Sequence, residues 1–307
     1  YTMGGAFWEF GQPDWDRAKL FMLFGVAEDH DSNPIKMGIG KLKARGARII
    51  GVNPIRSGYN AVADEWLGIT PGTDGLLILA LVHCLMAAGR IDLDYLARYT
   101  DAPLLVDEQT GLFLRDQDGR ALVIDRATGG LAAFDGRGVR PDLNAAHPGH
   151  STVLQLMAER YLQPEYAPEA VADRCGIPAA RIRAVADEIA RVAFDEAIVL
   201  DRPWTDFRGE RHDTMTGRPV AFHAMRGISA HSNGFQTCRA LHVLQIFLGT
   251  VEVPGGFRFK PPIAAYAGED ATWVLFNKGK HLDPGQTRML MVHPMHTETE
   301  GQPVHGV

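Results

Sequence analysis

Two apolar runs separated by a helical segment constrain the fold of this chain more than any other feature. The first run, AKLFMLFGV, covers residues 18–26, and the second, ARIIGV, covers residues 47–52. Near-continuous apolar runs of this length are typical of strands buried on both faces of a parallel sheet. The intervening segment IKMGIGKLKARG is typical of a helix that ends at Gly46. Strand, helix and strand within about 30 residues predict a right-handed βαβ unit.

The α/β pattern continues to about residue 260. WLGI at 66–69 predicts a third strand, and LLILALVHCLMAAG at 76–89 predicts a helix after the turn PGTDG. Residues 196–200 (EAIVL) predict another buried strand, residues 222–228 a further strand, and residues 233–248 a helix. Between about residues 102 and 145, short β-type runs alternate with QTG, QDG and TGG turns, which predicts a small β-rich insertion.

These elements predict an α/β fold, a Rossmann-like parallel sheet with flanking helices and a small β-rich insertion. We expect this domain to cover residues 1–260. After Pro254 the sequence becomes rich in glycine and proline and loses its periodicity. We therefore interpret residues 261–307 as the start of an incomplete second domain.

Composition excludes several classes of protein. The chain has 307 residues, is 46% hydrophobic and carries a formal net charge of -6, so it is globular and has no basic excess for nucleic acid. Its cysteines, Cys84, Cys175 and Cys238, lie far apart and form no CxxC motif, so the spacing of a metal cluster is absent. A group of histidines and carboxylates between residues 293 and 305 is interpreted as a solvated tail, and no metal ligand is predicted in this chain.

Three loops that follow predicted strands carry candidate ligand-binding residues, because ligands of open α/β sheets lie beyond the carboxyl ends of the strands. Gly25 lets backbone approach a ligand, and the next helix offers N–H groups to a phosphate. Asn53 stands where such folds read a ribose, and Arg56 can clamp a phosphate. Asp74 either caps the next helix or accepts two hydrogen bonds from a guanine edge. The structural alternatives are a plain connection and a surface turn with a solvated arginine.

The glycine fingerprints of two common nucleotide-binding folds are missing. Neither GxGxxG nor GxxxxGK[ST] occurs between a predicted strand and helix. This weakens the assignment as a nicotinamide-dependent dehydrogenase or a P-loop protein. The dehydrogenase stays as an alternative, and binding of NADH in preference to a guanine nucleotide would favour it.

Two long motifs resemble one enzyme family. They are FGVAEDHDSNPIKMGIGKLKARGARIIGVNPIRSGYNAVADEWLGITPGTDG at 24–75 and RPVAFHAMRGISAHSNGFQTCRALHVLQIFLGTVEVPGGFRFKPP at 218–262. Both resemble the molybdopterin oxidoreductases that bind bis(molybdopterin guanine dinucleotide), the dimethyl sulfoxide reductase family. The wording is most similar to catalytic subunits of polysulfide and thiosulfate reductases and of sulfite dehydrogenases. The resemblance covers most of residues 7–262.

The resemblance implies cofactor contacts in four loops: Gly25 and Asn33 near the dinucleotide phosphates, Asn53 and Arg56 at ribose and phosphate, Gly72, Thr73 and Asp74 at the guanosine, and Gly227 and Asn233 near the pterin and the metal. It implies Arg226 and His231 as catalytic candidates, since either could stabilise an oxyanion substrate by a charge-assisted hydrogen bond. Arg258 and Lys260 are further cationic candidates. The structural alternative for His231 is a cap on the helix that starts near Asn233.

The resemblance also implies a cofactor, a substrate and partners. The cofactor is molybdenum bis(molybdopterin guanine dinucleotide), with a 4Fe-4S cluster in the full-length protein only. The substrate is a small inorganic sulfur compound, with sulfite favoured over polysulfide and thiosulfate. The partners are an iron–sulfur electron-transfer subunit and a membrane anchor subunit, and no nucleic acid is expected. The location is cytoplasmic and peripheral to the inner membrane, with the periplasm as the alternative.

The chain departs from the family in what it lacks. In the family, the iron–sulfur cysteines and the protein ligand to molybdenum lie upstream of this stretch. We therefore expect a fragment of an oxidoreductase catalytic subunit that is inactive alone. A cofactor-binding fragment without a catalytic role is the alternative.

Overall fold

A computed structural model describes residues 12–26, 34–206 and 210–258 of the chain. Its strands are β1 Gln12–Pro13, β2 Leu20–Phe24, β3 Arg48–Val52, β4 Glu65–Leu67, β5 Leu105–Asp107, β6 Leu122–Ile124, β7 Leu131–Ala133, β8 His150–Thr152, β9 Ile198–Leu200, β10 Trp204–Thr205, β11 Arg211–His212, β12 Met215–Gly217, β13 Val220–Ala224 and β14 Phe257–Arg258. Its α-helices are α1 Pro34–Ala44, α2 Asp74–Ala87, α3 Leu93–Tyr99, α4 Val153–Tyr161, α5 Pro168–Cys175, α6 Ala179–Ala190, α7 Arg226–Ser229 and α8 Gly234–Phe247. Short 3₁₀ turns cover Gly58–Asn60 and Pro164–Tyr166, and a π-helical turn covers Arg191–Asp195.

A four-stranded parallel sheet in the order β13–β2–β3–β4 forms the centre of the fold. Strand β2 is buried along its whole length, because both of its faces are covered. The predicted βαβ unit is confirmed as β2, α1 and β3, and Gly46 follows α1 with a φ of 77°. The predicted α/β fold with a parallel sheet and flanking helices is therefore confirmed.

The two faces of the sheet carry cores of different size. Alternate side chains of β2 point to opposite faces, so Met22 joins the larger core and Phe21 the smaller one. Helices α2, α5, α6 and α8 contribute to the larger core, while α1 covers the other face. Helix α2 packs against α8, α6 and α5, which explains why its sequence is apolar on nearly every side.

The predicted β-rich insertion is present as two antiparallel pairs, β5 with β8 and β6 with β7. It extends further than residue 145, because β8 ends at Thr152. Thr152 also starts α4, where its hydroxyl accepts a hydrogen bond from the amide of Gln155 at 3.1 Å. One residue thus ends the insertion and caps the helix that leads back to the core.

Two strand predictions are wrong in part. Residues 198–200 form β9, which pairs antiparallel with β12 outside the central sheet and leaves Val199 65% exposed. A short apolar run does not distinguish a central strand from an edge ribbon, and this ribbon packs on the turn at Pro254 and Gly255. The strand predicted at 222–228 ends at Ala224, and α7 starts at Arg226.

The amino edge of the sheet is joined to α3 by a buried ion pair. Arg218 donates to Oδ2 of Asp92 through Nε at 2.9 Å and Nη2 at 2.6 Å. Oδ1 of Asp92 accepts from the amide of Tyr95 at 3.0 Å and caps α3. Removing one partner of such a pair costs about 3 kcal/mol.

Residues 259–307 lie outside the described part of the chain, so the domain boundary near residue 260 stays a prediction. Strand β1 pairs with β14, which brings the two ends of the described chain together. Within the described residues, no helix has both the length and the apolar character needed to cross a bilayer.

Candidate nucleotide-binding site

The carboxyl edge of the central sheet gathers the loops in which ligand-binding residues were predicted. Ala224, Phe24 and Val52 lie side by side in register, and β4 ends beside them at Leu67. The loops after these strands carry most of the predicted site residues, from Gly25 after β2 to Asn233 before α8. Asn33 and Lys260 lie outside the described residues, and the side chains of Arg226 and Arg258 are not described.

Gly25 and Gly227 bring the loops after β2 and β13 into backbone contact. Gly25 has a φ of 64°, in the region that favours glycine. A Cβ atom on Gly227 would lie 2.5 Å from the carbonyl oxygen of Gly25, so a side chain there cannot be accommodated without a shift of the backbone. Both glycines are therefore required by the close approach of two loops at the point where ligands bind in open α/β sheets.

The turn at residues 70–74 is held from two directions. Gly72 has a φ of 82°, and the amide and hydroxyl of Thr73 donate to the carbonyl of Thr70 at 3.2 and 2.7 Å. The amide of Thr70 donates to the carbonyl of Cys175 at 2.9 Å, at the end of α5. From the other side, Nδ2 of Asn233 donates to the carbonyl of Gly72 at 3.1 Å.

Asp74 is a buried carboxylate that lacks a donor from elsewhere in the fold. It is 6% exposed, and within the described chain its own amide is the group that donates to the side chain. Burial raises the pKa of Asp74, while its amide and the charge of His231 act in the opposite direction. Asp74 is the first residue of α2 and follows the cap position at Thr73, so its predicted role as helix cap is wrong. The carboxylate is free to accept two hydrogen bonds from a ligand.

His231 lies beside this turn. A Cβ atom on Gly72 would be 3.7 Å from Nδ1 of His231, and the histidine is exposed. It does not cap α8 with its side chain; its backbone carbonyl accepts from the amide of Gly234 at 2.9 Å. The structure therefore brings His231, Gly72 and Asp74 together, although His231 lies far from the other two in sequence.

Asn53 and Arg56 form the third wall of the site. Asn53 is buried, and its Nδ2 donates to the carbonyl of Ile55 at 2.8 Å. The backbone carbonyl of Asn53 accepts from Nε1 of Trp66 at 2.8 Å. The side-chain oxygen of Asn53 is left to face a ligand hydroxyl. Arg56 is exposed and makes no hydrogen bond or ion pair with any other described residue, which suits a phosphate contact.

A separate group of Asp206, Glu210 and His212 has the composition of a metal site. Their candidate ligand atoms lie within 4.8 Å of one another. Arg98, however, donates to Asp206 at 2.8 Å and pairs with Glu210 at 3.2 Å. Because a cation already neutralises the carboxylates, we interpret this group as an ion-pair network.

The sequence analysis missed Asn60. It lies inside a quoted motif, but no role was assigned to it. The structure shows it fully buried, with its amide directed at the loop after β2. A glycine in a buried strand was the available signal, because that glycine, Gly51, leaves room for a side chain from elsewhere.

The residues of this edge fit a guanine dinucleotide. Gly25 and Gly227 give close backbone approach, and Arg56 offers a cation for a phosphate. Asp74 offers the acceptor that the N–H groups of a guanine require. Backbone, cation and acceptor therefore match the phosphates and the base of one ligand.

Comparison with known proteins gives one family and several relatives. The family model described as molybdopterin oxidoreductase matches residues 5–297. The first subunit of the sulfite dehydrogenase of Allochromatium vinosum is 47% identical over 285 residues, which is 85% of this chain and 29% of that protein. The formate dehydrogenase major subunit of Haemophilus influenzae is 24% identical over 218 residues, 70% of this chain and 19% of that protein.

One solved structure shares the fold. Acetylene hydratase from Pelobacter acetylenicus superposes with a TM-score of 0.53 at 16% identity, over 86% of this chain and 25% of that one. The chain thus spans less than a third of the length of each of these proteins. The likeness to acetylene hydratase concerns the fold alone.

Proposed function

The chain belongs to the molybdopterin oxidoreductase family, and from this premise we propose that it binds the guanine dinucleotide part of a molybdenum bis(molybdopterin guanine dinucleotide) cofactor. The complete protein would be the catalytic subunit of an oxidoreductase that acts on a small inorganic sulfur compound, with oxidation of sulfite favoured. The cofactor supplies the redox chemistry when it is bound.

The observation that carries the cofactor proposal is Asp74. A carboxylate that is 6% exposed and without a donor from any other described residue is costly to keep ionised. The N–H groups of a guanine edge would satisfy it, whereas an adenine presents an unfavourable pattern of acceptors. Asp74 would therefore select the base.

The other residues of the chain would bind and orient the cofactor. Gly25 and Gly227 would let the backbone approach the phosphates and the pterin, and Arg56 would pair with a phosphate. Asn53 would hold a ribose hydroxyl through its side-chain oxygen. Arg226 and His231 would lie toward the substrate, where a cation stabilises a bound oxyanion.

Support for a sulfur substrate comes from the relative that shares 47% identity, which is named for sulfite dehydrogenation. The same relative is named as one subunit of its enzyme, which supports the presence of other subunits. We propose an iron–sulfur electron-transfer subunit and a membrane anchor as these partners, and a cytoplasmic location beside the inner membrane. The 4Fe-4S cluster would belong to the full-length protein.

The proposal is tested on the full-length protein, purified from a host that makes the cofactor. Acid hydrolysis should release GMP together with molybdenum, and sulfite should reduce an artificial electron acceptor. Protein that contains molybdenum but no GMP would refute the cofactor assignment. Protein that contains both, and turns over thiosulfate or polysulfide but not sulfite, would replace the favoured substrate.

A further inference from the structure

Asn60 joins the two loops that leave adjacent strands at the carboxyl edge. Its side chain is fully buried, and Nδ2 donates to the carbonyl oxygen of Val26 at 2.7 Å. Val26 follows Gly25, and Asn60 lies in the loop that begins with Asn53. Beside this bond, the amide of Gly25 donates to the carbonyl of Val52 at 3.0 Å. One backbone bond and one side-chain bond therefore set the separation of the loops.

Gly51 is the counterpart of Asn60 on β3. A Cβ atom on Gly51 would overlap Oδ1 of Asn60 and would lie 3.0 Å from its Cγ. The asparagine thus occupies the volume that a side chain on β3 would fill. The orientation of the amide is defined, because the carbonyl of Val26 can only accept a hydrogen bond and must face the nitrogen.

The arrangement is costly for a purely structural contact. Oδ1 of Asn60 is buried and has no hydrogen-bond partner among the described residues. A buried acceptor without a donor is destabilising, and an apolar side chain at position 60 would avoid that cost. What an apolar residue could not do is hold Val26 at a fixed distance from the loop after β3.

We propose that Asn60, seated on Gly51, is a positioning residue for the phosphate- and ribose-binding part of the cofactor site. It acts through Val26 on the loop after β2 and does not touch the guanine-binding turn at residues 70–74. This inference rests on the proposed function. It predicts that Asn60 controls binding of the phosphates and leaves recognition of the base unchanged.

The probes are GDP and guanosine, titrated calorimetrically into the whole 307-residue chain. Asn60→Ala should weaken GDP binding about tenfold, as expected for the loss of one buried hydrogen bond. Guanosine binding should not change. Asp92→Asn is the matched control, because it destabilises the fold at the opposite edge of the sheet and should keep the affinity for GDP.

The double variant Gly51→Ala/Asn60→Ala separates positioning from packing. The alanine on β3 refills part of the volume left by Asn60, so the urea midpoint should rise above that of Asn60→Ala. GDP affinity should stay low, because no donor to Val26 is restored. This variant also provides a folded protein if Asn60→Ala alone is too unstable to titrate.

The outcomes are distinct. Recovery of GDP affinity along with stability in the double variant would overturn the positioning role, and so would wild-type GDP affinity in Asn60→Ala. An equal loss of guanosine and GDP affinity would also overturn it. A folded wild-type chain that binds neither probe would refute the proposed function itself, and the inference with it.

Discussion

Asn233 donates a hydrogen bond from its side-chain amide to the backbone carbonyl of Gly72, with 3.1 Å between the two atoms. These residues are 161 positions apart in the sequence. The bond joins the start of α8 to the turn that presents Asp74. It makes one site out of two motifs that the sequence shows only as separate runs.

Replacing Asn233 by Asp should weaken GDP binding severalfold without lowering stability. The carboxylate cannot donate to Gly72, so the turn loses one restraint, which is worth about 1 kcal/mol. A negative charge before α8 is favourable to the helix dipole, so the helix itself should not suffer. Calorimetric titration with GDP and urea unfolding measure the two effects.

The control for this change is Asn144→Asp, the same substitution at an exposed position of the β-rich insertion. It should leave GDP affinity and stability unchanged. If Asn144→Asp lowered GDP affinity as much as Asn233→Asp, the effect would come from added charge and not from the bond to Gly72.

Alanine at two glycines should have opposite effects. Gly227→Ala places a Cβ atom 2.5 Å from the carbonyl of Gly25 and should destabilise the fold by about 1–3 kcal/mol, since backbone must move. Gly40→Ala meets no atom within 4 Å on the exposed side of α1 and should stabilise it by about 0.5–1 kcal/mol. Thermal or urea unfolding of both variants checks the signs, and destabilisation by both would show that the contact at Gly25 is not the cause.

The sequence allowed the fold to be predicted well and the site only in outline. The βαβ unit was readable because a strand buried on both faces, such as β2, is apolar at every position. Residues 198–200 were misassigned, because an apolar run does not reveal which sheet a strand joins. The role of Asp74 changed for a similar reason: a one-residue difference in where α2 begins separates a cap from a free carboxylate. Asn60 was missed because its partner Val26 is 34 residues away.

The stability of the chain should depend on pH through Asp74. Burial raises the pKa of this carboxyl above its ordinary 3.8, so the folded state binds the proton more tightly than the unfolded state. Stability that is present below pH 3.8 is lost as the pH rises through the raised pKa. Asp74→Asn should therefore be more stable than the wild type at neutral pH, with the difference vanishing in acid. Urea midpoints across this range measure it, and a variant less stable at neutral pH would contradict the assignment of a desolvated carboxylate.

The central claim is that Asp74 selects a guanine, and calorimetric titration of the wild type and Asp74→Asn with GDP and ADP tests it most directly. The wild type should bind GDP in preference to ADP, and the substitution should lower GDP affinity by about tenfold or more, because two hydrogen bonds to a charged acceptor are lost. ADP affinity should hardly change. Equal binding of GDP and ADP by the wild type, or unchanged GDP affinity in the folded Asp74→Asn variant, would contradict the account.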